Sequence, residues 1–343
     1  MLRILAIFGV IVLHYNNKSI GGGLAQVMPG TVNEYCLYAF ESATICAVDL
    51  FVMISGYFLC KTKKRNIWKI VELLVQVSVF SVSSYLLQTI LSGQMPTFAQ
   101  IKDRLIPSNY FVILYSTTYV ISPFVNVALE NLSRRQFRDL VLIVFFLFSA
   151  YPTMVDIFIK LTGENWNALS SISMYGSQRG YTVVNFILMY VLGAFVRFEE
   201  DTISRWSGKS LAAVQFLCVL TISVWAIAEK ENIVAWEYCN PLVILSAVVY
   251  FLLFLKWDIS HNRVINRLAE GTFSVFLMHT FFFPYLKIPR FVNAHPLIMC
   301  IHLAFSVCVV YLLCWCVHIV YHLMTDRMFR TLEKRLPLQL LEL

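Results

Sequence analysis

Arg3 and His14 stand eleven residues apart in an otherwise apolar run, Arg3-Ile-Leu-Ala-Ile-Phe-Gly-Val-Ile-Val-Leu-His14. On an α-helix this separation is about three turns and about 16 Å, so both side chains fall on one stripe, with Ile7 and Val10 between them. A cationic anchor at one end and a titratable base at the other suit a reaction that begins on one side of a barrier and ends on the other. That use requires the guanidinium and the imidazole to share one inward-facing channel. The plainer alternative is a snorkelling arginine and a helix-end histidine, each meeting lipid head groups.

Two carboxylates follow in the next apolar stretch, Glu41 and Asp49. Ionisable groups inside a membrane span are costly unless they face the bundle interior or water, which makes them functional candidates. Asp49 lies too deep to snorkel, and Arg3 and His14 are its nearest candidate partners in sequence. Glu41 is placed to accept a hydrogen bond from His14 and so fix its tautomer. Ser55-Gly56 reads as a close helix contact. The basic cluster Lys61-Thr-Lys63-Lys64-Arg65, with Lys69 one turn on, either sets membrane orientation or holds the phosphates of an anionic donor.

Further along, Pro123 should kink the aromatic stretch from Tyr110. The longest loop, Lys160 to Thr182, carries Glu164-Asn165-Trp166 and Gln178-Arg179-Gly180-Tyr181. Such side chains stack on and hydrogen-bond sugars, although interfacial aromatics are also routine. His279 lies mid-span, where a core histidine bonded to a neighbouring helix is the plain explanation. His318 and His322 have an i,i+4 metal-ligand spacing but no third ligand nearby, so no metal is expected. No P-loop, dinucleotide fingerprint or G-x-S-x-G elbow occurs.

The elements that must position these residues are membrane helices. The chain is 59% hydrophobic and only 14% charged, too few charges to coat a water-facing surface. About ten apolar spans are expected, at 2–15, 35–59, 67–91, 109–129, 139–159, 183–198, 211–228, 239–256, 271–288 and 297–320, forming one all-α polytopic domain over 1–343. The first is short and opens at Met1, which suggests an upstream start or a half-length helix; a cleaved signal peptide lacks its charged flank and cleavage site. With these spans, nineteen Lys and Arg fall in one set of alternate segments and eight in the other. The positive-inside bias then puts both termini in the cytoplasm. The net charge of +7 is therefore a topology signal and needs no nucleic-acid partner. The nine cysteines sit mostly inside apolar runs and read as small core residues.

The Arg3-x10-His14 run resembles the signature of the membrane acyltransferase-3 family, which includes bacterial enzymes that O-acetylate surface polysaccharides. Asp49-Leu-Phe-Val-Met-Ile-Ser-Gly-Tyr-Phe-Leu59 is similar to a second block of that family, and Thr272-Phe-Ser-Val-Phe-Leu-Met-His279 to a late one. The three blocks occur in order, and the resemblance spans essentially the whole chain. It implies that Arg3 and His14 are essential, that acyl-CoA, foremost acetyl-CoA, is the cytoplasmic donor, and that a hydroxyl of a cell-surface polysaccharide or its lipid-linked precursor is the acceptor. On this reading His14 is a general base or transient acyl carrier, and Arg3 holds donor phosphate or stabilises the thioester oxygen. Glu41 and Asp49 orient that pair, Lys63, Lys64, Arg65 and Lys69 steer the donor, and Trp166, Arg179 and His279 contact the acceptor. The protein would be multi-pass in a bacterial cytoplasmic membrane. The rival reading is a transporter or flippase for a small solute or lipid-linked sugar; the inverted repeats common in carriers are not seen.

Overall fold

The structure, a computed structural model, describes every residue except 165, 204, 231–232, 258–261, 336–338 and 341–343. It is almost entirely helical. Seven helical stretches are long and apolar enough to cross a bilayer: Val32–Leu59, Trp68–Leu91, Phe98–Glu130, Arg134–Thr162, Gly208–Glu229, Val234–Leu255 and Pro296–Arg335. Two more, Leu2–Asn16 and Val183–Phe198, are apolar but shorter.

The two short helices are mostly enclosed, as is Ala47–Leu59. Helix α1 (Leu2–Asn16) buries Ile7, Val10, Ile11 and Tyr15 almost completely. It packs on α2 (Val32–Thr44) and α3 (Ala47–Leu59). Helix α1 rises only about 22 Å at 1.5 Å per residue, short of the roughly 30 Å hydrocarbon layer. A helix ringed by protein need not match that thickness. The longer helices behave differently. They turn Leu142, Ile143, Phe216, Leu217, Phe305 and Leu312 outward, a continuous apolar exterior that lipid would cover.

The second apolar stretch is not one continuous helix. It breaks at Ile45-Cys46, between α2 and α3. The sequence shows no Gly or Pro there, but the Thr44 hydroxyl donates back to the Phe40 carbonyl at 2.7 Å, a bond that competes with the helix ladder.

Helices α4 (Trp68–Leu91) and α5 (Tyr110–Glu130) follow. Pro123 lies inside α5 and cannot donate to the Tyr119 carbonyl four residues back. The Ser122 hydroxyl donates to that carbonyl instead, at 2.7 Å. Next come α6 (Arg134–Phe145), a π-turn at Phe146–Ala150 and α7 (Tyr151–Thr162).

Helix α8 (Val183–Phe198) crosses α3 at its closest approach. A Cβ on Gly56 would lie 2.1 Å from the Tyr190 carbonyl oxygen, and one on Gly193 would lie 2.1 Å from that of Met53. Ser55-Gly56 is thus a backbone contact.

Further helices are α9 (Gly208–Glu229), α10 (Pro241–Leu255), α11 (Arg263–Glu270), α12 (Thr272–Phe282) and α13 (Pro296–Arg335). The last runs fifteen residues beyond the expected end at 320. Its extension is held by polar i,i+4 pairs, Asp326 with His322 at 2.7 Å and with Arg330 at 3.3 Å. Gln339–Leu340 pairs antiparallel with Arg65–Asn66, beside the basic turn.

Candidate active site

His14 and His279 meet. His279 Nε2 lies 2.9 Å from His14 Nδ1, with ring centroids 4.6 Å apart. The packing of α1 against α12 brings them together. His279 Nδ1 is 3.0 Å from the Val275 carbonyl, which only accepts, so Nδ1 carries the proton. In a neutral ring Nε2 is then an acceptor. His14 Nδ1, 3.0 Å from the Val10 carbonyl, must be the donor to both. This assigns the remaining nitrogen, His14 Nε2, a lone pair, and no described residue bonds it. A neutral imidazole with its other nitrogen fixed as a donor is a base held ready in one tautomer.

This pair lines a cavity of about 560 Å3, with Glu41, Arg179, Trp236 and Glu237 among its walls. The size suits one or two small-molecule rings. One side is aromatic: the rings of Tyr110 and Tyr181 are 4.8 Å apart and those of Tyr181 and Tyr238 5.0 Å apart, both edge-to-face. Tyr38 packs on Trp236, whose indole donates to Ser42.

Residues 1–319 match the acyltransferase-domain family, taking in both histidines and the helices that hold them. The chain belongs to the acyltransferase-3 family. It is a multi-pass membrane acyltransferase. No curated protein and no solved structure matches it.

Several sequence expectations for this acyltransferase need correcting. Glu41 does not orient His14; it accepts from Asn16 Nδ2 at 3.0 Å, and His279 takes the orienting role. Asp49 pairs with neither Arg3 nor His14. It is 1% exposed and accepts from Asn185 Nδ2 at 3.1 Å, because its face of α3 is turned to α8.

Arg65 does not steer a soluble donor. It is 3% exposed. Its Nε donates to Ser122, and its other nitrogens to Thr62, Lys64, Leu59 and the Tyr190 hydroxyl. It thereby supports the bypass around Pro123. Lys63 forms an ion pair with Glu130 at 3.0 Å. Lys64 is exposed, and Lys69, also exposed, sits over the Tyr119 ring at 5.7 Å.

Trp166 packs on Phe158, 5.7 Å between centroids, and does not line the His14 cavity. Asn165 lies outside the described residues. Arg179 and Tyr181 from the same loop do line it. His318 bonds Ser274 and His322 bonds Asp326, each a neighbour within the helical packing.

Arg3 and His14 do not share one channel. Arg3 lines a separate cavity of about 470 Å3, walled by Phe58, Phe254, Trp257, Asn262 and Ile265. The two cavities have no lining residue in common. Ile7, fully buried midway between the pair, fills the stripe. Lys18, Lys230 and Glu237 are cavity residues that sequence reasoning passed over. The first two were visible only as rare cations in the charge-poor set of loops.

Proposed function

We propose that this acyltransferase moves an acetyl group from cytoplasmic acetyl-CoA to a hydroxyl of an extracytoplasmic cell-surface glycan or its lipid-linked precursor. The bundle would cross the membrane ten times, with both termini and Arg3 at the cytoplasmic face. The observation that carries this reading is the bond-free His14 Nε2 on the wall of a polar, aromatic-sided cavity.

In the reaction His14 Nε2 takes the proton of the acceptor hydroxyl while the hydroxyl oxygen attacks the thioester carbonyl. The tetrahedral intermediate collapses, the C–S bond breaks, and the imidazolium returns its proton to the leaving thiolate. His279 contributes by holding the reactive tautomer; it is a positioning residue. Arg3 sits at the other cavity, beside the Phe254 and Trp257 rings and the Asn262 amide. These are groups suited to the phosphates and base of a nucleotide-bearing donor, so of the two roles open to Arg3, phosphate binding is the one supported. Transfer then requires α1 to part from its neighbours near Ile7, letting the donor's thioester arm reach His14.

The test supplies radiolabelled acetyl-CoA to the cytoplasmic face of sealed vesicles bearing wild type or His14→Ala. Label on acceptor hydroxyls at the opposite face with wild type alone supports the enzyme. Solute flux that survives His14→Ala, with no acyl transfer, supports a carrier instead.

A further inference from the structure

The rim of the His14 cavity collects cations where the chain otherwise has few. Eight Lys and Arg lie in the segments assigned to the outer face, and three of them, Lys18, Arg179 and Lys230, line this one cavity. The bias against positive charge on that side makes such a concentration costly to keep without a purpose.

None of the three forms an ion pair among the described residues. The carboxylates nearby have other partners. Glu41 is bonded by Asn16, and Glu237 by the Ser177 hydroxyl at 3.0 Å, although Glu237 is close enough to feel the Arg179 charge. Glu229, next to Lys230 in sequence, pairs with Lys160 at 3.0 Å.

Two of these cations also occupy backbone that favours glycine. Arg179 has φ 55° and ψ 20°. Lys230 has φ 60° at the C-terminal cap of α9, a position usually left to glycine. Arg179 is pinned there by its surroundings. Its N–H donates to Ser177 Oγ at 3.0 Å, and its carbonyl accepts from the Tyr238 N–H at 3.1 Å. A Cβ on the following residue, Gly180, would lie 2.5 Å from the Cys239 nitrogen. A non-glycine residue held in this region is strained, and such strain persists where the surrounding structure over-determines it, often at ligand clamps.

We infer that the acceptor carries an anionic group, a carboxylate or a phosphate, held by Arg179 with Lys18 and Lys230 at the rim of the His14 cavity. The inference rests on the acceptor reading of that cavity. It narrows the substrate to an acidic glycan or a glycan still joined to a phosphate. The guanidinium fork suits either group.

The experiment measures binding of three probes to the full-length protein in nanodiscs: methyl glucuronide, a hexose 1-phosphate and neutral methyl glucoside. At least one anion should bind about tenfold tighter than the glucoside, and which one does so separates carboxylate from phosphate. Arg179→Gly should remove that preference while leaving the melting temperature unchanged or raised, because glycine accepts the backbone conformation. Lys230→Gly should weaken binding with the same sign. His14→Ala should keep anion binding and lose transfer. If anion binding depends on Arg179 but no acyl group ever moves, the acyl-transfer reading fails and the anion site alone stands. If the glucoside binds as well as the anions, if no probe binds, or if Arg179→Gly keeps the preference, the inference is overturned.

Discussion

His279 Nε2 accepts from His14 Nδ1 at 2.9 Å, joining the last block of the family signature to the first across 265 residues of sequence. The bond needs His279 neutral, and the base needs His14 neutral. Protonating His14 at Nε2 removes its lone pair, and protonating His279 at Nε2 sets two donors face to face.

Transfer should therefore fall as the compartment facing the cavity is acidified. The sign follows from the base: the neutral form is active, so the rate is flat on the alkaline side. It drops up to tenfold per pH unit once an imidazole charges. Rates in sealed vesicles with the inner pH clamped would show this. A rate that rises on acidification contradicts it.

Asp49 should be dispensable for chemistry. Its carboxylate is bonded to Asn185 between α3 and α8 and does not line the His14 cavity. Asp49→Asn keeps the shape of the side chain, so the transfer rate should stay within roughly threefold, about 0.7 kcal/mol of barrier. A loss of a hundredfold in kcat with an unchanged melting temperature would return Asp49 to the catalytic machinery.

Gly56→Ala should be severe for stability. The added methyl meets the Tyr190 carbonyl oxygen at 2.1 Å, so α3 and α8 must separate. Overpacking of this kind costs about 1–3 kcal/mol. Thermal unfolding of the purified protein in one detergent should show a lowered midpoint for Gly56→Ala and for Gly193→Ala. The double variant should lose less than the two single losses combined, because both methyls press on one interface.

Glu199 offers an acid-sensitive contact outside the spans. Its hydrogen bond from Arg138 at 3.0 Å holds its carboxyl below the usual range. A depressed folded-state pKa stabilises above the unfolded value and loses that contribution as pH falls through the folded value. Arg138 is half exposed, so the effect should be at most about 1 kcal/mol. Glu199→Gln should melt lower than wild type at neutral pH, with the gap closing in acid. A gap independent of pH contradicts the assignment.

Helical segments could be read from the sequence because each apolar run is bounded by charge or turn residues, as Val183–Phe198 shows. The break at Ile45-Cys46 could not, because no Gly, Pro or charge marks it. The overrun to Arg335 was hidden for the opposite reason: hydropathy ends where the bilayer would, but helical pairing does not. At the site, the Arg3–His14 spacing gave the stripe correctly and said nothing of Ile7 closing it. Proximity in sequence suggested Glu41 and Asp49 as partners of His14. The partner came from α12: His279, expected as an acceptor contact from the late block, is instead the ring bonded to His14. Arg65 misled because a buried guanidinium bonded to Ser122 beside a helix proline and an exposed one steering a ligand look alike as letters.

The most direct test of the histidine pair is a double-mutant cycle on acetyl transfer. His14→Ala should cost about 10²–10⁴ in kcat, the usual contribution of a general base. His279→Ala should cost less, about tenfold for one lost orienting hydrogen bond. If the two rings act as a unit, the double variant should be no slower than His14→Ala alone. Losses that multiply, or a His279→Ala enzyme that runs at the wild-type rate, would contradict the pairing.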